Sequence, residues 1–187
     1  INTGQFPGPR YLANAQELAT PAGVLFPGAT NVVSGVEETR RKVRELCGLG
    51  VDLVKVIQSG ESVTERVWAK EDYFTDQEIA VIVEEAHHVG RRVATHARST
   101  ESCAKAVRHG IDILYHMTYI DDATMDLLEQ RKDSVFVAPG LHWLIATCEE
   151  ADVFGYPRSQ AELVGYVEEL EVSIEGMKEM HRRGIKV

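Results

Sequence analysis

Gly110-Ile111-Asp112-Ile113-Leu114-Tyr115-His116 is a largely apolar run that opens on a glycine and closes on an imidazole. Two other stretches share this build: Gly50-Val51-Asp52-Leu53-Val54-Lys55 and Gly90-Arg91-Arg92-Val93-Ala94-Thr95-His96. The metal-capable side chain stands 6, 5 and 6 residues after the glycine, respectively. A glycine that stops a helix, followed by an apolar run, reads as the start of a parallel strand covered on both faces. Three such runs separated by helical periodicity mean βα units. In (β/α)8 barrels the chemistry sits at the C-terminal strand ends, where Lys55, His96 and His116 fall in this reading.

Working outward, Ser34-Gly35-Val36-Glu37 has the shape of a capping box and predicts a helix to about Leu49, with Val43 and Leu46 inward. Thr75-Asp76-Gln77-Glu78 opens a second helix, with Ile79, Ile82, Val83 and Ala86 at helical spacing. Further helices are expected over about 100–109, 121–131 and 161–183, and strands near residues 10–13, 51–57, 91–97, 111–117 and 134–138. Ile185-Lys186-Val187 reads as the opening of another strand. The rest of residues 1–35 reads as loop, and 141–160 as a long excursion. The fold expected is α/β, a partial (β/α)8 TIM barrel from about strand 3 to the start of strand 8.

The 187 residues suffice for one core but fall short of the roughly 250 of a complete barrel. A net charge of −9 without a basic cluster argues against a nucleic-acid surface. Three scattered cysteines suggest neither a disulfide framework nor a cysteine zinc site, and a reducing, cytoplasmic setting is the simplest expectation. No apolar run approaches the ~18 residues of a membrane span.

Lys55 shares a strand face with Leu53 and Ile57. Burial of its ammonium is costly, and four outcomes relieve the cost: a Schiff-base nucleophile, a carboxylate pair, a carbamate, or snorkelling to solvent. His96 and His116 lie 20 residues apart, about one βα unit, and imidazole is the commonest ligand for zinc-like metals. His87, His88, His109 and His181 sit near helix C-termini and read as surface residues. His142 follows strand 134–138 on the chemical end of the barrel and is a substrate-binding candidate. Arg98, two residues past His96, is a second, suited to gripping a carboxylate. Trp68, Trp143, Phe154 and Tyr156 fall in the long loops, where they shape a pocket or pack beneath it.

The segments Val51–Ile57 with Lys55, Val93–Ala97 with His96 and Ile113–Met117 with His116 resemble strands 4, 5 and 6 of the amidohydrolase superfamily. The resemblance is closest to its imidazolonepropionase-like and Xaa-Pro-dipeptidase-like members, which carry a carboxylated strand-4 lysine. It extends over about Gly8–Val187. It implies a hydrolase of C–N bonds in amides, peptides or cyclic amides, with one or two divalent metals, usually zinc. Lys55 as N6-carboxylysine would bridge two metals, and His96 and His116 would bind the second. Bound water made acidic by the metal would attack the carbonyl. The family also uses an H-x-H pair on strand 1 and an aspartate on strand 8, and this sequence has neither within the span. The resemblance therefore implies an internal piece of a larger enzyme, inactive alone, whose remaining barrel comes from the parent chain and which acts on a small-molecule amide or peptide. A homo-oligomer is a further expectation. Two departures bear on substrate: Tyr115 stands where many relatives carry an acid, and Gln58-Ser59-Gly60-Glu61 is poorer in glycine. Two rival readings remain: a Schiff-base lyase barrel using Lys55, and a non-catalytic barrel fragment that packs against a partner.

Overall fold

The computed structural model describes residues 3–5, 7–9, 11–23, 28–60 and 68–187, the side chain of Trp68 excepted. Among them, six strands and seven α-helices follow in the order β1 (Glu17–Ala19), β2 (Thr30–Val32), α1 (Val36–Gly48), β3 (Leu53–Ile57), α2 (Asp76–His88), β4 (Arg92–Ala97), α3 (Thr100–His109), β5 (Ile113–His116), α4 (Asp122–Gln130), β6 (Phe136–Ala138), α5 (Leu141–Glu149), α6 (Arg158–Val164) and α7 (Tyr166–Arg182). The sheet order is β2-β1-β3-β4-β5-β6, and every pairing is parallel. This is the α/β architecture of a partial barrel.

Helices α1 to α4 pack on one face of the sheet. Val54 and Val56 of β3, Val93 and Ala97 of β4 and Leu114 of β5 meet Val43 and Leu46 of α1, Ile79, Ile82 and Ala86 of α2, and Leu128 of α4 in one buried cluster. The opposite parity on the same strands brings Lys55, Ala94, His96, Ile113 and Tyr115 to the other face. Each helix preceding a long strand ends at a left-handed glycine: Gly50 (φ 84°), Gly90 (φ 70°) and Gly110 (φ 89°). A residue with Cβ pays steric cost there, so the glycines give sharp stops, each one residue out of level with the next in the sheet register.

Several expectations are corrected. Tyr11–Ala13 form no strand, and Arg10 lies outside the described residues. Ala13 instead exchanges backbone and carboxylate hydrogen bonds with Asp52, and the strands of this region are β1 and β2. The Ser34 capping box does not form. Gly35 takes the N-cap at φ 80°, and the Ser34 amide donates to Glu38 rather than to Glu37. The Thr75–Glu78 box does form, in both directions. The 161–183 helix is two helices broken at Gly165 (φ 92°). The excursion contains α5, and a short 3₁₀ turn follows it at Ala151–Phe154. Ile185–Val187 is not a regular strand, though the Lys186 carbonyl accepts from the Val137 amide at 3.0 Å and so lies beside β6.

α5, α6 and α7 enclose a second small core of Leu144, Cys148, Ala161, Val164 and Tyr166. Among the described residues no helix is long and apolar enough to cross a membrane.

Candidate metal centre

Lys55, His96 and His116 come together, by two different local devices. Lys55 pairs in register with Ala94 and Ile57 with His96, so simple alternation puts Lys55 and His96 on the same face. His116 has the wrong parity. Its strand partner is Ala97, which faces the helices, and alternation presents Tyr115 to His96 instead. The chain overrides this with a turn: the Met117 amide donates to the Tyr115 carbonyl at 3.1 Å around His116, whose φ is 71°. This is a γ-turn of the rare left-handed kind. Met117 follows at φ 56°. The two left-handed residues swing the His116 ring onto the His96 side, with ring centroids 4.4 Å apart.

The His96 tautomer follows from its partner. His96 Nε2 lies 3.0 Å from the Gly60 carbonyl oxygen. A carbonyl only accepts, so Nε2 carries the proton and Nδ1 presents a lone pair. His116 turns its Nδ1 toward Gly140 and its Nε2 toward His96, 3.0 Å from the His96 Nδ1. Both imidazoles are held well below the ordinary range, foremost by burial and next by the Arg98 charge, so neither ring brings an extra proton to the gap.

That spacing suits a hydrogen bond from the His116 Nε2–H and, once that proton sits on Nδ1, a cation shared by the two nitrogens. Nitrogens each about 2.0 Å from one tetrahedral ion stand about 3.3 Å apart, close to what is seen. The chemistry of the donors fits a zinc-like ion. Among the described residues no group of three or more His, Cys, Asp or Glu side chains is placed to hold one, so the donor set here is two imidazoles and the Lys55 amine.

Lys55 Nζ lies 4.9 Å from the centroid of the Tyr115 ring. Burial pushes its pKa down to about 8, offset only by the charge of Glu17 on the neighbouring strand β1. Its charge is felt at both imidazoles.

Arg98 is fully buried, more so than a residue opening a helix would suggest. Its guanidinium pairs with Glu169 of α7, and Trp143 of α5 lies 5.3 Å from it, ring centroid to Cζ. Thr118 also donates to Glu169, and Trp143 meets Tyr166 edge-on at 5.0 Å. This network ties α5 and α7 to the ends of β4 and β5, and no local sequence signal pointed to Glu169. His142 is exposed on the first turn of α5, and Phe154 is exposed too. His87 and His109 pair with Asp112 and Asp76 at the outer surface.

No family model matches the chain. Ochratoxinase of Aspergillus niger is 29% identical over 131 residues, covering 66% of this chain and 27% of that protein. Among solved structures, a prolidase complexed with N-methylphosphonate-L-proline superposes at a TM-score of 0.80 with 25% identity, covering 99% of this chain and 48% of that one. An amidohydrolase superposes at 0.81 with 27% identity, covering 99% and 49%. The chain thus spans about a quarter of the curated relative and about half of the solved ones. By sequence and by fold, it is a relative of the amidohydrolase superfamily over the part of those proteins that it spans.

Proposed function

We propose that this chain contributes the strand-end ligands of a metal-dependent hydrolase that cleaves C–N bonds of a small amide, peptide or cyclic amide. The observation that carries the reading is the pair of buried imidazoles meeting at 3.0 Å, Nε2 of His116 to Nδ1 of His96, with the His96 proton held on its far side by the Gly60 carbonyl. The similarity to a prolidase and to ochratoxinase supports the amide or dipeptide class. Residues 1–187 form the central part of one barrel domain in this reading, and the remaining strands of the parent protein supply the other ligands and the acidic group.

His96 Nδ1, His116 Nε2 and Lys55 would hold one or two divalent ions, zinc being the best match to nitrogen donors. The bound ion supplies an acidic water and polarises the scissile carbonyl. The protein's own groups prepare that site. The Gly60 carbonyl fixes the His96 tautomer. The charge of Arg98 disfavours a proton on either ring. Lys55, with a pKa of about 8, is substantially neutral near that pH, which is the form that reacts with carbon dioxide to give N6-carboxylysine. Arg98 already meets Glu169, so a substrate carboxylate would share that guanidinium; its electrostatic role on the histidines is the better supported.

Metal analysis together with intact mass tests the reading. Bound zinc, and a mass increase of one carbon dioxide on Lys55, are expected. No bound metal together with an unmodified Lys55 overturns it. The depressed pKa of Lys55 also suits a Schiff-base nucleophile; borohydride trapping of a carbonyl substrate on Lys55 would favour that second reading.

A further inference from the structure

We propose that Lys105 of α3 is a positioning residue for the candidate metal centre: by tying down Asp72, it holds the Gly60 carbonyl against the outer nitrogen of His96. The proposal rests on reading His96 as a metal ligand.

Two arms of chain meet beyond the end of β3. The first, Gln58–Gly60, ends at the carbonyl that lies 3.0 Å from His96 Nε2. Its start is stitched to β4. The Gln58 amide donates to the His96 carbonyl at 3.0 Å, and the Arg98 amide donates to Ser59 Oγ at 2.8 Å. The second arm, Asp72–Phe74, lies antiparallel to the first. The Tyr73 amide donates to the Gln58 carbonyl at 2.8 Å, and Ser59 and Asp72 form an isolated bridge. So short an antiparallel tie is marginal by itself.

Lys105 supplies the missing hold. Its ammonium pairs with the Asp72 carboxylate and donates to the Phe74 carbonyl, gripping the second arm at both ends. The pair is largely shielded from water, at 15% and 8% side-chain exposure. Without the ammonium, a shielded carboxylate loses its counter-charge and a carbonyl loses its donor, which costs more than the bonds alone contribute. Lysine suits the position because its three donors can be shared between two separate acceptors.

α3 starts directly after β4, capped by Ser99, so Lys105 and His96 belong to one strand–helix unit. The contacts close a ring: α3 to Asp72, Asp72 to Ser59, and Gly60 back to His96. A residue on the helix layer thereby controls which way a ligand on the opposite face of the sheet carries its proton.

Lys105→Met is the test, with Arg131→Met as its control. Arg131 donates to the Val107 carbonyl at 2.7 Å, so it also anchors α3, but from the α4 side and away from the two arms. In the metal-free parent protein, the His96 Nε2–H should give a slowly exchanging ring N–H resonance in the wild type and in R131M. In K105M it should exchange about 10-fold faster or more. With Co²⁺ as the probe, K105M should bind about 10-fold more weakly, and R131M as the wild type does. Wild-type ring N–H protection in K105M overturns the proposal, as does wild-type Co²⁺ affinity in K105M. Equal losses in K105M and R131M also overturn it, because they trace the effect to general destabilisation. If the wild type binds no Co²⁺, the metal reading fails and the ring N–H exchange alone decides this one. If K105M does not fold, Asp72→Asn takes its place, keeping the shape and removing the charge that Lys105 grips. Faster ring N–H exchange in D72N then supports the proposal, and unchanged exchange overturns it.

Discussion

His116 Nε2 stands 3.0 Å from His96 Nδ1, although strand alternation assigns the two residues to opposite faces of the sheet. The γ-turn at His116 resolves that conflict and brings two buried imidazoles nitrogen to nitrogen. An ion that binds the folded state alone adds stability, about 2.7 kcal/mol at a hundredfold excess over Kd. Zinc should raise the thermal midpoint of the wild type. His96→Ala and His116→Ala should each abolish most of that rise without lowering the metal-free midpoint sharply. Calorimetry with and without zinc measures both. An equal zinc response in all three proteins would show that the pair does not hold the ion.

Lys55 should behave as an unusually acidic lysine. Burial favours its neutral form and brings its pKa to about 8. The neutral fraction grows as pH rises through that value, well below the ordinary lysine range. In the metal-free protein, an amine-selective reagent should modify Lys55 with a rate that climbs to a plateau just above pH 8, while surface lysines keep climbing. Peptide mass mapping after timed labelling separates them. A Lys55 rate that still rises tenfold between pH 9 and 10 would contradict the burial argument.

What could be read ahead of the structure, and what could not, follows the range of the interactions. The helix stops at Gly50, Gly90 and Gly110 were legible because a left-handed residue after a helix is almost a glycine requirement, and all three have positive φ. Lys55 and His96 were legible because alternation within a regular strand is local. The inward turn of His116 was not: equal spacing from Gly110 suggested equal orientation, while the actual orientation comes from two left-handed residues, His116 and Met117, with the ring packed beside Gly140 of the next connection. The partner of Arg98 was invisible for the same reason, since Glu169 lies 71 residues away on α7, beyond the excursion. Three-residue strands such as Glu17–Ala19 carry too few positions to show a period at all. Ser34 failed as a cap because Gly35 took a left-handed N-cap and Glu38 reached back instead.

Arg98 and Glu169 are both essentially excluded from water, at 1% side-chain exposure each. Removing one partner strands a buried charge, so Glu169→Ala should destabilise the protein by about 3–5 kcal/mol. Replacing the pair with apolar residues of similar size, R98M with E169L, should recover most of that loss. Loss of the Arg98 charge should also raise the pKa of both site histidines, since it is the largest charge acting on each. Urea unfolding gives the first result and imidazole NMR titration the second. A double variant as unstable as E169A would mean that the pair, rather than the stranded charge, supplies the stability.

Glu78 joins two helix starts at once. Its carboxylate accepts from the Thr75 amide and hydroxyl, closing the box that opens α2, and from the Gly35 amide at the start of α1. Burial raises its pKa, but these donors outweigh burial and leave it below the ordinary glutamate value. A carboxylate depressed in the folded state adds stability at pH above its unfolded value near 4.5, and that contribution is lost as pH falls through the folded pKa. Glu78→Gln keeps the size and part of the accepting capacity but loses the charge. It should cost about 1–2 kcal/mol at neutral pH. The gap between the two proteins should narrow as pH falls below 4.5 and through the lower folded pKa, as the wild-type carboxylate takes up its proton. Urea midpoints of both proteins across pH 3 to 7 read this directly. A gap that stays constant down to pH 3 would place the effect in packing rather than in the charged capping bonds.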